Sequence, residues 1–392
     1  VMMSKEKRRV PKLRFPGFTE DWEQRKLGSL ATVEMNKRIF KEQTTIKGDI
    51  PFYKIGTFGS DADSFISREL FKEYKNKYPY PNIGDILISA SGSIGRTVVY
   101  NGEDAYYQDS NIVWLNHNGK IDNSFLLQFY NQVKWAGLEG STIKRLYNKN
   151  ILETNIALPK IEEQRLIGKF FELVDRSITL HQRKLNNLKL KKKALLQKLF
   201  PKNEERYPEL RFPGFTDAWE QRKFKDIAFK RGKISEADLP YVEFEDINSG
   251  IGTLNKNISQ KVGHKKGLLF EAGDVLFGKL RPYLQNWLLC QFAGIAVGDF
   301  WVLQPQNVSS AFLYYLIQSE AYQSVANISS GTKMPRSSWP LVSETLFSIP
   351  KYKEANMIGE FFLLIDRTIT LHQRKLDHLQ LQKKALLQQM FV

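Results

Sequence analysis

The sequence is dominated by an internal duplication. Residues 167–200 return almost unchanged at 358–391, with 24 of 34 positions identical, and residues 11–31 return at 208–228. The chain is therefore two copies of one unit, each about half of its length. A tandem duplication joins two related units covalently, so it predicts an internal pseudo-twofold arrangement.

Composition limits the kind of protein this can be. The 392 residues are 42% hydrophobic and 26% charged, which predicts two or three globular domains. The net charge of +16 favours an anionic partner, either nucleic acid or an acidic membrane surface. Cys290 is the single cysteine, which fits a cytoplasmic protein. The basic start of the chain lacks the apolar core of a signal peptide, and no apolar run is long enough to cross a membrane, so we expect no membrane partner.

The duplicated stretches have the heptad pattern of long helices, with apolar residues at alternating spacings of four and three. Each predicted helix would extend about 50 Å. A single such helix cannot bury its apolar stripe, and a pseudo-twofold relation favours antiparallel pairing of the two. The predicted seam of the first helix consists of Ile167, Phe171, Val174, Ile178, His181, Leu185, Leu188, Lys192, Leu195 and Leu199.

Two polar features of these helices allow more than one interpretation. His181 and His372 interrupt the two seams at the same place, and a polar layer that fixes register is favoured over a catalytic or metal role. The lysines 191–193 are either a solvated face or a surface that lies near phosphates. Phe170 and Phe361 fall beside the seams and widen the apolar face. We expect them to bind a partner subunit, the alternative being that the flanking domain covers them.

The segments 32–158 and 229–349 share a pattern more than a sequence. Each has strands after a proline and after a Gly-Asp turn, then a helix, predicted at 124–137 and 311–325, and a last strand before Pro159 or Pro350. Short strands, turn residues and few helices predict an α+β fold.

The loops on this shared frame differ, and polar loops that carry arginine suit contacts with base edges in DNA. The alternative for each residue is an ordinary solvated turn, and the glycine-rich loop at 90–96 lacks the spacing of a P-loop. The predicted DNA contacts are Lys54, Ser91, Ser93, Arg96, Lys144 and Arg145 in the first segment, and Lys279, Arg281, Tyr283, Gln285, Asn286, Lys333 and Arg336 in the second.

The duplicated segments 11–31 and 208–228 carry aromatic residues next to basic ones. Such aromatics can stack on bases, or they can dock each domain against the long helices. Docking is favoured, because parts that read a sequence should differ between the copies. The residues are Phe15, Phe18, Trp22, Phe212, Phe215 and Trp219.

The order of these elements resembles the specificity subunits of type I restriction–modification systems. Leu158-Pro159 followed by Glu162-Glu163-Gln164 looks like that family's entry to its central helix, although the second copy has Ala355 in place of the glutamine. The Gly84-Asp85 strand also looks like part of a target recognition domain. The resemblance covers essentially the whole chain.

The resemblance implies a protein that binds double-stranded DNA and does no chemistry. Two target recognition domains, separated by two long antiparallel coiled-coil helices, would each bind one half of a bipartite target. Two modification subunits with S-adenosylmethionine would dock on the helices and methylate adenine, and restriction subunits would use ATP and magnesium. No cofactor is expected in this chain itself.

The residues agree with a non-catalytic role. No Pro-Pro pair exists for an adenine methyltransferase loop, and no P-loop lysine motif is present. The carboxylates nearest to a nuclease pattern are Asp299 and the group of Glu243, Glu245 and Asp246. Two other classes stay open: a self-contained methyltransferase or nuclease, and a coiled-coil adaptor that binds RNA or an acidic surface without sequence specificity.

These inferences predict six consecutive regions. They are a terminal arm and first repeat segment at 1–31, a target recognition domain at 32–158, a central long helix and linker at 159–206, a second repeat segment at 207–228, a second target recognition domain at 229–349, and a long helix at 350–392.

Overall fold

The computed structural model describes residues 10–135, 144–202, 205–328 and 334–392. The chain divides into two compact units. The first unit comprises Val1–Leu180 and Leu376–Val392, and the second comprises His181–Lys375. The dividing points lie within the two long helices, so each unit contains a segment of both.

The described part of the first unit contains short strands, three short helices and segments of both long helices. Its strands are β1 Glu23–Lys26, β2 Thr32–Glu34, β3 Ile50–Tyr53, β4 Phe65–Ile66, β5 Ile86–Ser89, β6 Thr97–Val99, β7 Tyr106–Tyr107, β8 Ile112–Asn116 and β9 Asn155–Leu158. Its helices are α1 Arg68–Lys77, α2 Asn123–Tyr130, α3 Asn148–Glu153 and the start of α4 Ile161–Leu199.

The strands of the first unit form a four-stranded sheet in the order β2-β8-β5-β6, a three-stranded sheet in the order β4-β3-β7, and the antiparallel pair β1-β9. Apolar side chains on β5 and β8 pack against α2, and residues of the repeat segment complete this core, in which Trp22 and Phe125 are fully buried. The duplicated segment is therefore part of the domain core.

The second unit shares the main elements of the first and has additional strands. Its strands are β10 Glu220–Lys223, β11 Ala228–Arg231, β12 Ile234–Ser235, β13 Asp238–Val242, β14 Ile247–Asn248, β15 Thr253–Leu254, β16 Val262–His264, β17 Gly267–Phe270, β18 Val275–Gly278, β19 Trp287–Leu289, β20 Gly294–Ala296, β21 Phe300–Pro305 and β22 Leu346–Ile349. Its helices are α5 Phe224–Ile227, α6 Ser310–Leu316, α7 Glu320–Ala326, α8 Trp339–Glu344 and the start of α9 Tyr352–Met390.

The sheets of the second unit repeat those of the first. The order β11-β21-β18-β19 matches the four-stranded sheet of the first unit, and the pair β10-β22 matches β1-β9. A five-stranded sheet in the order β12-β17-β20-β13-β16 stands in place of the three-stranded one. This mixture of short strands and few helices is the α+β fold expected from the sequence.

The long helices begin earlier than the heptad pattern predicts. Each spans 39 residues and starts soon after the proline that precedes it, at Ile161 or Tyr352. A buried ion pair holds each first turn: Arg14 contacts Glu163 at 2.6 Å, and Arg211 contacts Glu354 at 2.7 Å. The carboxylates lie in the first turn, where the helix dipole also favours them.

Within each unit the two helix segments run antiparallel. In the second unit, Lys192 contacts Asp366 at 2.8 Å, and His181 Nδ1 lies 3.2 Å from His372 Nδ1. In the first unit, Lys383 contacts Asp175 at 2.6 Å. The polar interruptions of the heptad pattern are therefore paired across the seam, as expected of polar layers.

The predicted helix at 311–325 is wrong as a single helix, because the chain forms α6 and α7 with a break between them. Ser319 caps α7: its Oγ accepts a hydrogen bond from Tyr322 N at 3.3 Å and donates one to the Leu316 carbonyl at 2.7 Å. The predicted helix at 124–137 is also too long, since α2 ends at Tyr130; residues 136 and 137 lie outside the described part of the chain.

Candidate nucleic-acid interface

Three stretches of chain meet at one edge of the four-stranded sheet of the first unit. Ala90, directly after β5, donates its N–H to the Asn111 carbonyl at 2.7 Å, and Leu146 donates to the Ala90 carbonyl at 2.8 Å. Ser91 and Arg145 form a β-bridge beside them. These bonds place the glycine-rich loop, the start of β8 and the basic segment after residue 143 next to one another.

We call this set of backbone hydrogen bonds the loop frame, and the second unit has the same one. Lys279 donates its N–H to the Asp299 carbonyl at 2.9 Å, Ser337 donates to the Lys279 carbonyl at 2.9 Å, and Leu280 and Arg336 form the matching β-bridge. Ala90 is therefore equivalent to Lys279, Asn111 to Asp299, and Arg145 to Arg336.

The side chains on this frame differ between the units. In the first unit, Asn111 Oδ1 accepts hydrogen bonds from Ser91 Oγ at 2.8 Å and from Arg145 Nη2 at 3.2 Å. The arginine also donates to Ser110 Oγ at 3.3 Å. Among the described residues, the groups that orient this guanidinium are thus neutral.

In the second unit a carboxylate occupies the equivalent position. Asp299 Oδ2 accepts from Arg336 Nη2 at 2.9 Å, and Asp299 Oδ1 lies 3.5 Å from Lys279 Nζ. Burial raises the pKa of Asp299, but the hydrogen bond from Arg336 and the charge of Lys279 outweigh it, so that the pKa lies below the usual value. The carboxylate is therefore ionised at neutral pH and offsets one of the two positive charges.

The loop after β18 has a strained backbone. Arg281 and Gln285 have positive φ angles of 48° and 58° and enclose a short 3-10 turn. Non-glycine residues in this conformation cost free energy and are often found at ligand-binding sites. The turn exposes Arg281, Tyr283 and Gln285 to solvent, whereas Asn286 is buried and accepts a hydrogen bond from Ser249.

Several other predicted contacts already have partners within the protein. Lys54 forms an ion pair with Asp63 at 2.9 Å. Arg96 donates to the Phe58 carbonyl at 2.7 Å and also approaches Ser93 Oγ. These bonds give Arg96 a structural role in shaping the glycine-rich loop.

The remaining predicted contacts are at the basic segments of the two frames. Lys144 is exposed beside Arg145. Lys333 lies outside the described residues, as do residues 140–143 and 331–332 of the two Gly-Ser/Thr loops at 140–145 and 331–336.

The acidic residues considered for a nuclease are held by lysines. Asp246 is fully buried and contacts Lys256 at 2.5 Å and Lys261 at 2.6 Å. Burial raises the pKa of Asp246, but these two hydrogen bonds lower it by more. Among the described residues, no three histidine, cysteine, aspartate or glutamate side chains are placed to hold a metal ion together.

The duplicated aromatic segments pack against the long helices, which is the docking alternative. Trp22 and Trp219 are fully buried. Leu13 N–H donates to the Gln389 carbonyl at 2.9 Å, and Leu210 N–H donates to the Lys198 carbonyl at 2.8 Å. The segments therefore attach to the ends of the helices in the same way in both units.

The predicted partner residues Phe170 and Phe361 are half-buried by these same segments. Phe170 packs edge-on against Phe15 with ring centroids 6.0 Å apart, and Phe361 packs against Phe212 at 5.5 Å. The alternative of an intramolecular cover thus accounts for much of the apolar width at these positions, although the cover is the repeat segment and not the recognition domain.

A second apolar stripe, which the sequence interpretation missed, remains exposed on both helices. We call it the leucine stripe, and its residues recur every seven positions next to the buried seam. The signal was present in the sequence, but apolar residues beside a seam do not show which of them a neighbour covers. The stripe consists of Leu166, Leu173 and Leu180 on α4 and of Met357, Leu364 and Leu371 on α9, which are 37–65% exposed.

No helix in the described part of the chain is both long and apolar enough to cross a membrane.

Comparisons with known proteins all identify specificity subunits of type I restriction–modification systems. A family model for the type I restriction modification DNA specificity domain matches residues 19–190 and 216–381. A type I restriction enzyme specificity subunit of Haemophilus influenzae is 54% identical over 157 residues, which are 39% of this chain and 41% of that protein. The match thus spans about two fifths of the length of this relative.

Two further relatives cover almost the whole chain at low identity. The MjaVIII type I restriction enzyme specificity subunit of Methanocaldococcus jannaschii is 22% identical over 94% of this chain and 91% of its own length. The crystal structure of the S subunit of a type I restriction–modification system from M. genitalium superposes with a TM-score of 0.65 at 16% identity, covering 98% of this chain and 99% of that one. The structural likeness establishes a shared fold.

Proposed function

Since the chain belongs to the type I restriction–modification DNA specificity family, we propose that it reads a bipartite double-stranded DNA sequence, with one half-site for each unit. Members of this family are the DNA-recognition components of their systems and are not catalytic. The observation that carries the bipartite target is the loop frame, which has the same backbone bonds in both units and different side chains at equivalent positions.

The chemistry of the frame suits DNA. The two frames present the basic residues Arg145, Lys279, Arg281 and Arg336 at the loop edge of a four-stranded sheet, and lysine and arginine supply contacts with both phosphates and base edges. Because the backbone bonds of the loop frame are the same in both units, a change of side chain would alter which bases are contacted without moving the loop. Two unlike readers on one chain imply an asymmetric target with two unlike halves.

A selection experiment tests this function. The full chain is incubated with a library of duplexes randomised over about 40 base pairs, long enough for half-sites one helical turn or more apart, and the bound duplexes are sequenced. We expect a motif with two conserved halves and an unspecified spacer. Replacing the second unit's residues 229–349 with those of a relative should change one half only.

Salt-sensitive binding without an enriched motif would instead indicate the adaptor class, since phosphate contacts alone carry no sequence information. A single conserved block that changes as a whole after the exchange would contradict independent readers.

We further propose that two copies of a modification subunit dock on the leucine stripe, one on each unit. The stripes of α4 and α9 are equivalent positions of the duplicated sequence, so a partner that fits one fits the other. Exposed apolar residues in a regular row are typical of a surface that another helix covers. In this proposal S-adenosylmethionine belongs to the modification subunits, ATP and magnesium belong to restriction subunits, and the complex works in the cytoplasm.

Native mass spectrometry with a purified modification subunit tests the docking surface. Leu173→Lys should leave a complex with one modification subunit, and adding Leu364→Lys should leave none, because a buried lysine opposes an apolar contact. Thr179→Lys is the matched control, since this exposed position lies on another face of α4, and it should keep two. Two subunits on the double variant would exclude the leucine stripe.

A further inference from the structure

We propose that Asn111 and Asp299 are positioning residues that decide whether the arginine of each loop frame meets DNA held by a neutral amide or already paired with a carboxylate. Asn111 orients Arg145 without neutralising it, whereas Asp299 pins Arg336 and offsets its charge. This inference rests on the proposed DNA-reading function and assigns specificity control to two residues that do not belong to the predicted contacts.

The equivalence of the two residues follows from the backbone. Asn111 and Asp299 each accept, through the main-chain carbonyl, the N–H of the residue that follows the neighbouring strand, at 2.7 and 2.9 Å. The residue that donates this N–H, Ala90 or Lys279, in turn accepts a hydrogen bond at its own carbonyl from Leu146 or Ser337 of the basic segment. The side chains of Asn111 and Asp299 therefore occupy equivalent positions, and each contacts the arginine at the equivalent position of its own unit.

The two side chains differ by one charge and little in shape. Arg145 meets the amide oxygen of Asn111 at 3.2 Å, and such a neutral contact leaves the guanidinium free to bind an anion. Arg336 meets the carboxylate of Asp299 at 2.9 Å, and this contact adds the attraction of two opposite charges to the hydrogen bond. DNA must compete with Asp299 for Arg336, whereas the hydrogen bonds of Arg145 within the described part of the chain include none to a carboxylate.

Lys279 is part of the same group of charged residues around Asp299. It stands where the first unit has Ala90, and its ammonium lies 3.5 Å from Asp299. The second frame thus holds two cations and one anion, while the first holds one cation. Summed over these residues, the two loop frames have the same net charge. Only the second can redistribute its charge, by rearranging the ion pairs of Asp299. Asp299 is 28% exposed and Arg336 is 53% exposed, so DNA can reach the pair.

The asparagine has a second capacity that the aspartate lacks. Both hydrogen bonds to Asn111 end on Oδ1, and no hydrogen bond in the described part of the structure uses its Nδ2 group. This amide can donate to an acceptor on a base edge. A carboxylate at the same place can only accept. The exchange of one residue type for the other should therefore change both the affinity and the preferred base.

Reciprocal substitutions in the full chain test the inference. Asp299→Asn removes the anionic competitor, and Asn111→Asp introduces one. Binding is measured to a duplex of random sequence between about 50 and 200 mM salt, over which each phosphate contact contributes roughly three- to fourfold to the loss of affinity. We expect the salt dependence to steepen by about one phosphate contact for Asp299→Asn and to flatten by about one for Asn111→Asp.

Matched controls separate a local effect from a change of net charge. Asp217→Asn breaks an exposed ion pair with Lys351 and changes the net charge by the same amount as Asp299→Asn, away from the frame. Gln24→Glu, at an exposed position on β1, is the corresponding control for Asn111→Asp, because it adds one negative charge away from the loop frame. The double variant Lys279→Ala with Asp299→Asn gives the second frame the residues of the first, so its salt dependence should return to that of the wild type. Thermal unfolding verifies that each variant is folded.

The random-library selection then shows where specificity changes. Each reciprocal variant should alter base preference in one half of the motif and leave the other half intact. Equal salt dependence for Asp299→Asn and Asp217→Asn, or an unchanged motif in both reciprocal variants, would overturn the role of these residues. A wild-type chain that selects no motif would instead refute the proposed function, and the salt measurements on random duplex would still decide whether the pair controls the charge of the frame.

Discussion

The two units keep the ion pairs at the starts of the long helices and change the side chains of the loop frame. Arg14 with Glu163 and Arg211 with Glu354 make the same ion pair at the start of a long helix. At the loop frame the main-chain bonds are also shared, but Ala90 and Asn111 are replaced by Lys279 and Asp299. Buried side chains that bond to one another constrain each other, whereas the loop frame is held by main-chain bonds, which leave its side chains free to change. The pattern of retained and altered residues thus separates scaffold from reader.

One buried position breaks this rule. Gln164 and Ala355 are equivalent, and both are buried beneath the first turn of a long helix. Gln164 bridges two segments, since its Oε1 accepts from Asp122 N at 2.9 Å and its Nε2 donates to the Pro159 carbonyl at 2.9 Å. Ala355 instead packs in the apolar core of the second unit. The same joint is thus closed by hydrogen bonds in one unit and by close packing in the other.

The largest expected effect concerns the shared ion pairs. Arg14→Met should leave the fully buried carboxylate of Glu163 without its partner, and a buried charge stripped in this way costs about 3–5 kcal/mol. Arg211→Met should cost a similar amount, because the geometry is the same. Urea unfolding of both variants measures this. Strongly unequal losses would show that the two helix starts are not equivalent in energy.

The joint at Gln164 and Ala355 should respond asymmetrically to exchange. Ala355→Gln places a larger polar side chain in a filled apolar site, and overpacking alone costs about 1–3 kcal/mol. Gln164→Ala leaves the Asp122 N–H without its acceptor, at about 1–3 kcal/mol. We expect the first loss to exceed the second, because an unpaired amide adds to the overpacking. Denaturation midpoints compared at equal m-values verify the order.

The smallest expected effect is the pH dependence of the helix seam. The group concerned is His181, whose Nδ1 lies 3.2 Å from His372 Nδ1 across the seam. Burial first, and then the neighbouring charges of His372, Lys184 and Lys375, lower the pKa of His181. A lowered pKa in the folded state means that its stabilising contribution is present above about pH 6.5 and is lost as the pH falls through the folded value.

The variant His181→Asn keeps a polar residue in the layer but removes the titration. Its melting temperature should therefore fall less than that of the wild type between about pH 8 and pH 5.5, the range in which histidine titrates. An equal fall in both proteins would assign the acid sensitivity to other groups. His378, which is outside this pair, provides a control when replaced by asparagine.

The periodic features of the fold were predictable from the sequence. The duplication, the two long helices and their polar layers follow from spacing alone, because a heptad pattern requires a partner helix. The break between α6 and α7 was not predicted, although a serine such as Ser319 is a common cap at the start of a helix. The leucine stripe was also missed, because burial depends on what the rest of the chain covers.

The sequence by itself determined that two equivalent units exist, that each combines a long helix with an α+β domain, and that their loops differ. Tertiary structure decided which loop residues meet. Ala90, Asn111 and Arg145 are far apart in the chain, and the hydrogen bonds that join them connect three separate segments. The match of Asn111 with Asp299 is likewise a property of register, since it depends on which carbonyl faces which N–H. Local patterns report periodicity and polarity, but only the packed sheet brings distant residues to one edge and gives an arginine its neutral or anionic partner.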